Sequence, residues 1–317
     1  MKIVILDGQV MGGSVEDFPS LQELGDLTVY DITPPELVIP RIGDAEIVVV
    51  DKTPITEEIL KACPTIRFIA VLATGYNIVD VQAAHRLGIP VANVPGYAGP
   101  IVAQATIALL LEVFSKVGIH DISVHQGDWT RTPYFCYTCG PILEVSGKTL
   151  GIIGLGDIGT RVARIASAMG MKILAHTRTE RPVDLPDFRY GTLEEVLSES
   201  DVVSLHVPLF PETERLIRKE TLQLMKKDAV LINTSRGGLL DEQAVADALN
   251  RGEIAAAALD VLAVEPMDPD CPLRTAKNCI ITPHIAWASD DAIRKIKKVT
   301  HQNVQAFLNG EELNVVN

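Results

Sequence analysis

Arg236, Glu265 and His284 are the residues of this chain best placed, by type and spacing, to reduce a ketone. That reaction needs hydride delivered to carbon and a proton delivered to oxygen. A 2-keto acid also needs its carboxylate held by positive charge. His284 would be the general acid in reduction and the general base in alcohol oxidation. Glu265 would orient the imidazole and favour its protonated form with a nearby negative charge. Arg236 would clamp the carboxylate and place positive charge beside the developing alkoxide. Each has a bland alternative: a structural ion pair, a solvated Glu265-Pro266 loop, a satisfied buried histidine. His85, His120, His125, His176, His206 and His301 have weaker claims to chemistry, and no Cys/His cluster has zinc-site spacing, so no metal is expected.

The elements that must position the trio are legible around it. Arg236 follows Val230-Leu231-Ile232-Asn233-Thr234-Ser235, Glu265 follows the run through Asp260-Val261-Leu262, and His284 follows Ile280-Ile281-Thr282-Pro283. The C-terminal ends of parallel strands share one edge, where ligands bind, so three such junctions can converge. Strand-like runs are predicted at 3–6, 27–30, 47–50, 68–72 and 91–93, and then at 149–153, 172–175, 202–205, 229–233, 256–259 and 279–282. Helices are predicted at 15–24, 56–62, 79–87, 101–125, 159–169, 192–199, 220–225, 242–251 and 290–308. The alternation predicts an α/β fold with parallel sheets.

Directly after Leu150–Ile153 comes Gly154-Leu155-Gly156-Asp157-Ile158-Gly159, followed by a helix-compatible stretch. Gly154 would make the tight turn, Gly156 would admit a pyrophosphate to the backbone, and Gly159 would pack helix against strand. Helix-start N–H groups can bind phosphate without a basic side chain. The position that carries a carboxylate in many NAD sites instead reads His176-Thr177-Arg178. Thr177 does not repel a 2′-phosphate, and Arg178 can pair with one. The cofactor is therefore expected to be NAD(P), with NADP favoured; the alternative is a solvated Arg178 and NAD held by polar contacts.

The 317 residues suggest two domains. Twenty-eight basic against 41 acidic residues give a formal charge of −13, which disfavours nucleic acid and anionic membrane as partners. The start MKIVILDG reads as a strand rather than an export signal, and the run Ile107–Leu111 is too short to cross a bilayer. A cytoplasmic location is expected. Five cysteines do not suggest a disulfide framework, and Cys136-x-x-Cys139 precedes Gly140-Pro141 in a probable loop, so ordinary small-residue usage is preferred to a redox or zinc role.

At this point the chain resembles the D-isomer-specific 2-hydroxyacid dehydrogenase family, and within it the glycerate dehydrogenase or hydroxypyruvate reductase branch. The resemblance spans nearly the whole length: VLATGYNIVD at 71–80, NVPGY at 93–97, VAQATIALLLE at 102–112, GKTLGIIGLGDIG at 147–159, HVPLFPET at 206–213, INTSRGGLLDEQA at 232–244, ALDVLAVEP at 258–266 and ITPHIAWAS at 281–289. It implies a flavodoxin-like substrate-binding domain, 1–99 with 287–317, interrupted by a Rossmann-type coenzyme and dimerisation domain, 100–286. It implies that Arg236, Glu265 and His284 are catalytic, and that Ala73, Thr74 and Gly75, with Arg236 and Trp287, bind substrate. Val207, Pro208, Thr213, Thr234, Ser235, Arg236 and Asp260 would join the glycine loop and His176 to Arg178 around the cofactor. The implied reaction is reduction of hydroxypyruvate to D-glycerate or of glyoxylate to glycolate by a homodimer. Rival readings are another D-2-hydroxy acid, 3-phosphoglycerate included, and a catalytically silent NAD(P)-binding regulator. The departure from the family pattern is His176 to Arg178, where many NAD-preferring relatives carry an acidic residue.

Overall fold

Short β-branched runs bounded by turn formers become parallel strands throughout the chain. In the computed structural model, which describes residues 1–317, they form two sheets in two units, Met1–Ala98 with Ala288–Asn317, and Gly99–Trp287.

The first unit runs β1 (Lys2–Ile5), α1 (Pro19–Gln22), β2 (Asp26–Val29), α2 (Val38–Ile42), β3 (Ile47–Val50), α3 (Glu57–Ala62), β4 (Phe68–Val71), α4 (Val81–Arg86) and β5 (Val91–Ala92). Its strands are parallel in the order β2-β1-β3-β4-β5, the flavodoxin-like arrangement. β3 and β4 are apolar and buried at every position, as strands covered on both faces must be. Thr56 and Asp80 cap α3 and α4 by accepting from Ile59 N and Ala83 N. The helix expected over 15–24 is instead a 3₁₀ turn, Val15–Asp17, followed by α1. Pro19 restricts the backbone of Phe18, which leaves helical geometry at φ −125°, ψ 50°.

The second unit opens with α5 (Gly99–Ser115), α6 (Val117–His125) and α7 (Asp128–Arg131). It continues β6 (Thr149–Ile153), α8 (Asp157–Ala168), β7 (Lys172–His176), β8 (Phe188–Tyr190), α9 (Leu193–Glu199), β9 (Val202–Leu205), α10 (Lys219–Leu222), β10 (Val230–Asn233), α11 (Glu242–Arg251), β11 (Ala256–Leu259) and β12 (Cys279–Ile281). The parallel order β12-β11-β10-β9-β6-β7-β8 is the doubly wound Rossmann order, extended by one strand at β12. One apolar core forms on each face of this sheet. The single helix expected over 101–125 is two helices, because Lys116 sits at φ 55° and the pair bends by 60°. No single helix is long and apolar enough to cross a membrane. The chain then returns to the first unit in α12 (Asp290–Leu308), capped by Ser289, where Phe307 stacks on Phe68 of β4 at 4.7 Å.

Candidate active site

Asn233, Leu259 and Ile281 are in register across β10, β11 and β12. Arg236, Glu265 and His284 lie beyond those residues, so one sheet edge gathers all three. His284 Nδ1 lies 2.6 Å from Glu265 Oε2. A carboxylate accepts, so Nδ1 carries the proton and Nε2 is the nitrogen left for chemistry. His284 holds a left-handed backbone, φ 52°, which the buried Asp260 secures. The Asp260 carbonyl accepts His284 N–H at 2.8 Å. Its carboxylate accepts the Thr282 hydroxyl at 2.6 Å and the N–H groups of Ile285 and Ala286 at 2.9 and 2.8 Å.

Arg236 is exposed, and its guanidinium bonds the Ser235 carbonyl at 2.7 Å without forming an ion pair. Its backbone is tied down: Asn233 Nδ2 donates to Arg236 O at 2.9 Å while Asn233 Oδ1 accepts from Ser235 N at 3.0 Å. Ser235 Oγ donates to Leu205 O at 2.7 Å. Next to Arg236, Gly237 lies so close to the Glu265 loop that a Cβ there would sit 1.8 Å from Leu262 C. The arginine and glutamate loops are therefore in direct backbone contact.

The glycine loop separates its three duties. Gly154 has φ +97°, and a Cβ would meet His206 O at 2.5 Å; at Gly159 it would meet Gly154 O at 2.2 Å. At Gly156 a Cβ would meet nothing within 4 Å. That open approach precedes α8, whose first helical bond runs from Thr160 N–H to Gly156 O. The earlier N–H groups, at the positive end of the helix dipole, suit a pyrophosphate. Leu155 and Ile158 pack against the core, and Asp157 pairs with Arg161 at 2.9 Å. His206 Nε2 bonds Ser204 Oγ at 2.9 Å, whereas Nδ1 is shut in with no partner, and burial lowers the imidazole pKa from 6.5 to about 4. Thr234 is buried, with its hydroxyl 2.9 Å from that of Thr106. Val207 crowds Gly154, and Pro208 is exposed. Thr213 is engaged within its own loop, accepting from Phe210 N and bonding Pro208 O, both at 2.8 Å.

At the end of β7, His176 Nδ1 lies 3.1 Å from the Gly191 carbonyl, while Arg178 is exposed and makes no ion pair. In the first unit, Ala73 O accepts from Val94 N, Thr74 Oγ1 donates to Val94 O, and Thr74 O accepts from Asn93 Nδ2. These bonds use the carbonyl side of the Ala73–Gly75 turn and leave its N–H groups available to an anion. Trp287, half-buried, closes the second unit. The five cysteines are free; Cys139 N–H donates to His120 Nε2 at 2.9 Å, and His120 Nδ1 lies 2.6 Å from Lys116 O. His120 is thus a clamp on the 136–140 loop.

The grip of Asp260 on the His284 loop and the closeness of Gly237 to Leu262 are not legible in the sequence. The glycine directly after Arg236 was the available signal for the second, since glycine marks close backbone approach.

The family model for the NAD binding domain of D-isomer specific 2-hydroxyacid dehydrogenases matches residues 107–286. Hydroxypyruvate reductase of Blautia hydrogenotrophica is 48% identical over the whole of both chains. Glycerate dehydrogenase of Methylorubrum extorquens is 39% identical over 99% of this chain and 98% of its own. Among solved structures, an acyclic imino acid reductase in complex with NADPH and D-Arg superposes with TM-score 0.87 at 32% identity, over all of both chains. D-lactate dehydrogenase with NAD+ from Lactobacillus jensenii does so with TM-score 0.80 at 30% identity, again over all of both. With more than half its length in the family model and full-length relatives well above 30% identity, the chain belongs to the D-isomer specific 2-hydroxyacid dehydrogenase family.

Proposed function

We propose that the protein reversibly reduces a small 2-keto acid, hydroxypyruvate to D-glycerate and glyoxylate to glycolate, with NADPH preferred over NADH. The observation that carries the chemistry is the 2.6 Å bond between His284 Nδ1 and Glu265, which leaves Nε2 to exchange a proton. Relatives named hydroxypyruvate reductase and glycerate dehydrogenase support the substrate. Gly154–Gly159 would hold the dinucleotide, which when bound would supply the hydride in reduction and accept it in oxidation. His284 Nε2 gives the carbonyl oxygen its proton, Glu265 steadies the cationic ring, and Arg236 binds the carboxylate and draws charge onto the oxygen. The resemblance also assigns the N–H groups of Ala73, Thr74 and Gly75, and the side chain of Trp287, to the substrate. The first unit is then the substrate-binding domain and the second the coenzyme domain.

Arg178 with no carboxylate beside it at 176–178 supports the preference for NADP; relatives of this fold are known with either cofactor. Exposed Val117, Ile119, Ile122, Trp129, Tyr134 and Phe135 support a homodimer built on the α5–α7 region, since large exposed apolar patches mark interfaces. Five free thiols fit a reducing, cytoplasmic compartment.

The test is turnover of a 2-keto acid panel with both cofactors, followed at the reduced-nicotinamide band. No turnover by folded protein overturns the enzyme reading. A kcat/KM at least about tenfold higher with NADH overturns the NADP preference alone. His284→Ala is expected to lose kcat far more than cofactor affinity.

A further inference from the structure

We infer that Glu242 is a positioning residue for the catalytic carboxylate, holding from the first turn of α11 the loop that carries Glu265. The inference rests on the reading of Glu265 as the partner of His284. Ala263, Val264, Glu265 and Pro266 are all exposed, so side-chain packing does not hold these four residues in place. Hydrogen bonds must do so, because a catalytic group has to stay within about 0.5 Å of its working place. Glu242 Oε1 accepts the Ala263 N–H at 2.7 Å. The preceding N–H, of Leu262, donates to Glu265 Oε1 at 2.9 Å, and Glu265 Oε2 meets His284 Nδ1 at 2.6 Å. Consecutive backbone N–H groups are thus tied to two carboxylates, one on the rigid helix and one facing the imidazole.

Glu242 itself has little freedom. Its other oxygen receives the buried Cys271 thiol at 3.7 Å. α11 is capped by Asp241, which accepts from Ala244 N, and is anchored by Val245, Ala246, Ala248 and Leu249 in the core. A carboxylate in a helix first turn is also favoured by the dipole. From below, Gly237 meets the same Leu262–Ala263 peptide. The loop is therefore located by Gly237 on one side and by Glu242 through a hydrogen bond.

Three variants separate positioning from simple stabilisation of α11. Glu242→Ala and Glu242→Gln both remove the charge at the helix start, so both should lower Tm. Only Glu242→Ala removes the acceptor for Ala263 N–H. It should lower kcat by at least roughly tenfold, given that 1 Å of misplacement can cost about a hundredfold. Cofactor Kd, read by nicotinamide fluorescence, should not move, and hydrogen exchange at Ala263 should quicken. Glu242→Gln should recover most of the kcat. Glu242→Asp, one methylene shorter, should fall between the two and serves if Glu242→Ala does not fold. In a Glu265→Gln background, Glu242→Ala should cost little more, because the group it positions is already altered. Equal kcat in Glu242→Ala and wild type, equal losses in the Ala and Gln variants, or additive losses in the double variant would each overturn the inference while Glu265 keeps its role. Wild-type kcat in Glu265→Gln would instead overturn the reading of Glu265, and the inference with it.

Discussion

Gly237→Ala places a methyl group against the loop that carries Glu265. The new Cβ would lie 1.8 Å from Leu262 C, 2.0 Å from its oxygen and 2.3 Å from Ala263 N. Nonbonded carbon contacts settle near 3.5 Å, so something must retreat by about 1.7 Å. Gly237 is buried, whereas the segment from Ala263 to Pro266 is exposed. The exposed loop therefore gives way. A retreat of that size stretches the 2.6 Å Glu265–His284 bond past hydrogen-bond range. Misplacement by 1 Å can cost about a hundredfold, so kcat should fall on the order of 10²-fold. Overpacking costs about 1–3 kcal/mol, and each kcal/mol lowers Tm by about 2–4 °C in a domain of 150–250 residues. The predicted signature is a large loss of kcat, a modest loss of Tm, and unchanged cofactor Kd, since β6 and its glycine loop lie two strands from β10. Steady-state turnover, calorimetry and nicotinamide fluorescence read the three quantities. A kcat within about threefold of wild type in folded protein would refute the argument that backbone contact sets the Glu265 position.

The other predictions follow from equally local geometry. Arg236→Lys keeps the charge but loses the planar fork, so kcat/KM for the keto acid should drop; equal kcat/KM would dismiss the clamp. Arg178→Gln should lower kcat/KM for NADPH and spare NADH, and an equal effect on both would remove Arg178 from cofactor choice. Gly156→Val should fold with nearly wild-type Tm, its side chain entering open space, yet weaken dinucleotide binding; Gly159→Val, facing Gly154 O at 2.2 Å, should instead unfold readily on heating. Burial holds the His206 pKa at about 4 against an ordinary 6.5. Below pH 6.5 the unfolded chain therefore takes up a proton that the folded chain refuses until pH falls to about 4. Urea titrations should show about 2 kcal/mol less stability from this group at pH 5 than at pH 7, and His206→Gln should remove that part of the pH dependence.

Most of the architecture was legible because its strands are long enough to show. Ile47–Val50, Thr149–Ile153, Val202–Leu205 and Ala256–Leu259 fall where mainly apolar runs put them. Elements that escaped are short or contain a breaker. α2 is five residues with Pro40 inside it, and β8 is a three-residue edge strand with no run to announce it. Lys116 divides the helix expected from Ile101 to His125, and nothing in a lysine marks a left-handed residue.

The site was legible to a different depth. Residue type exposed Arg236, Glu265 and His284, since chemistry needs a cation, a carboxylate and an imidazole at strand ends. Residue type is silent about the groups that hold them. Asp260 looks like any acid near a cofactor until β11 and β12 are set side by side. Then its carboxylate accepts three hydrogen bonds from the loop of His284. A carboxylate offers about four acceptor sites, so the loop takes most of its capacity. Glu242 looks like ordinary first-turn acid until the Leu262–Ala263 peptide is seen to lie over it. Such roles depend on contacts between segments 20 or more residues apart, as Glu242 is from Ala263 and Asp260 from Thr282. Local pattern cannot encode them. A candidate trio can therefore be read from one sequence, whereas the acceptors that hold its backbone emerge only when the sheet edge is assembled.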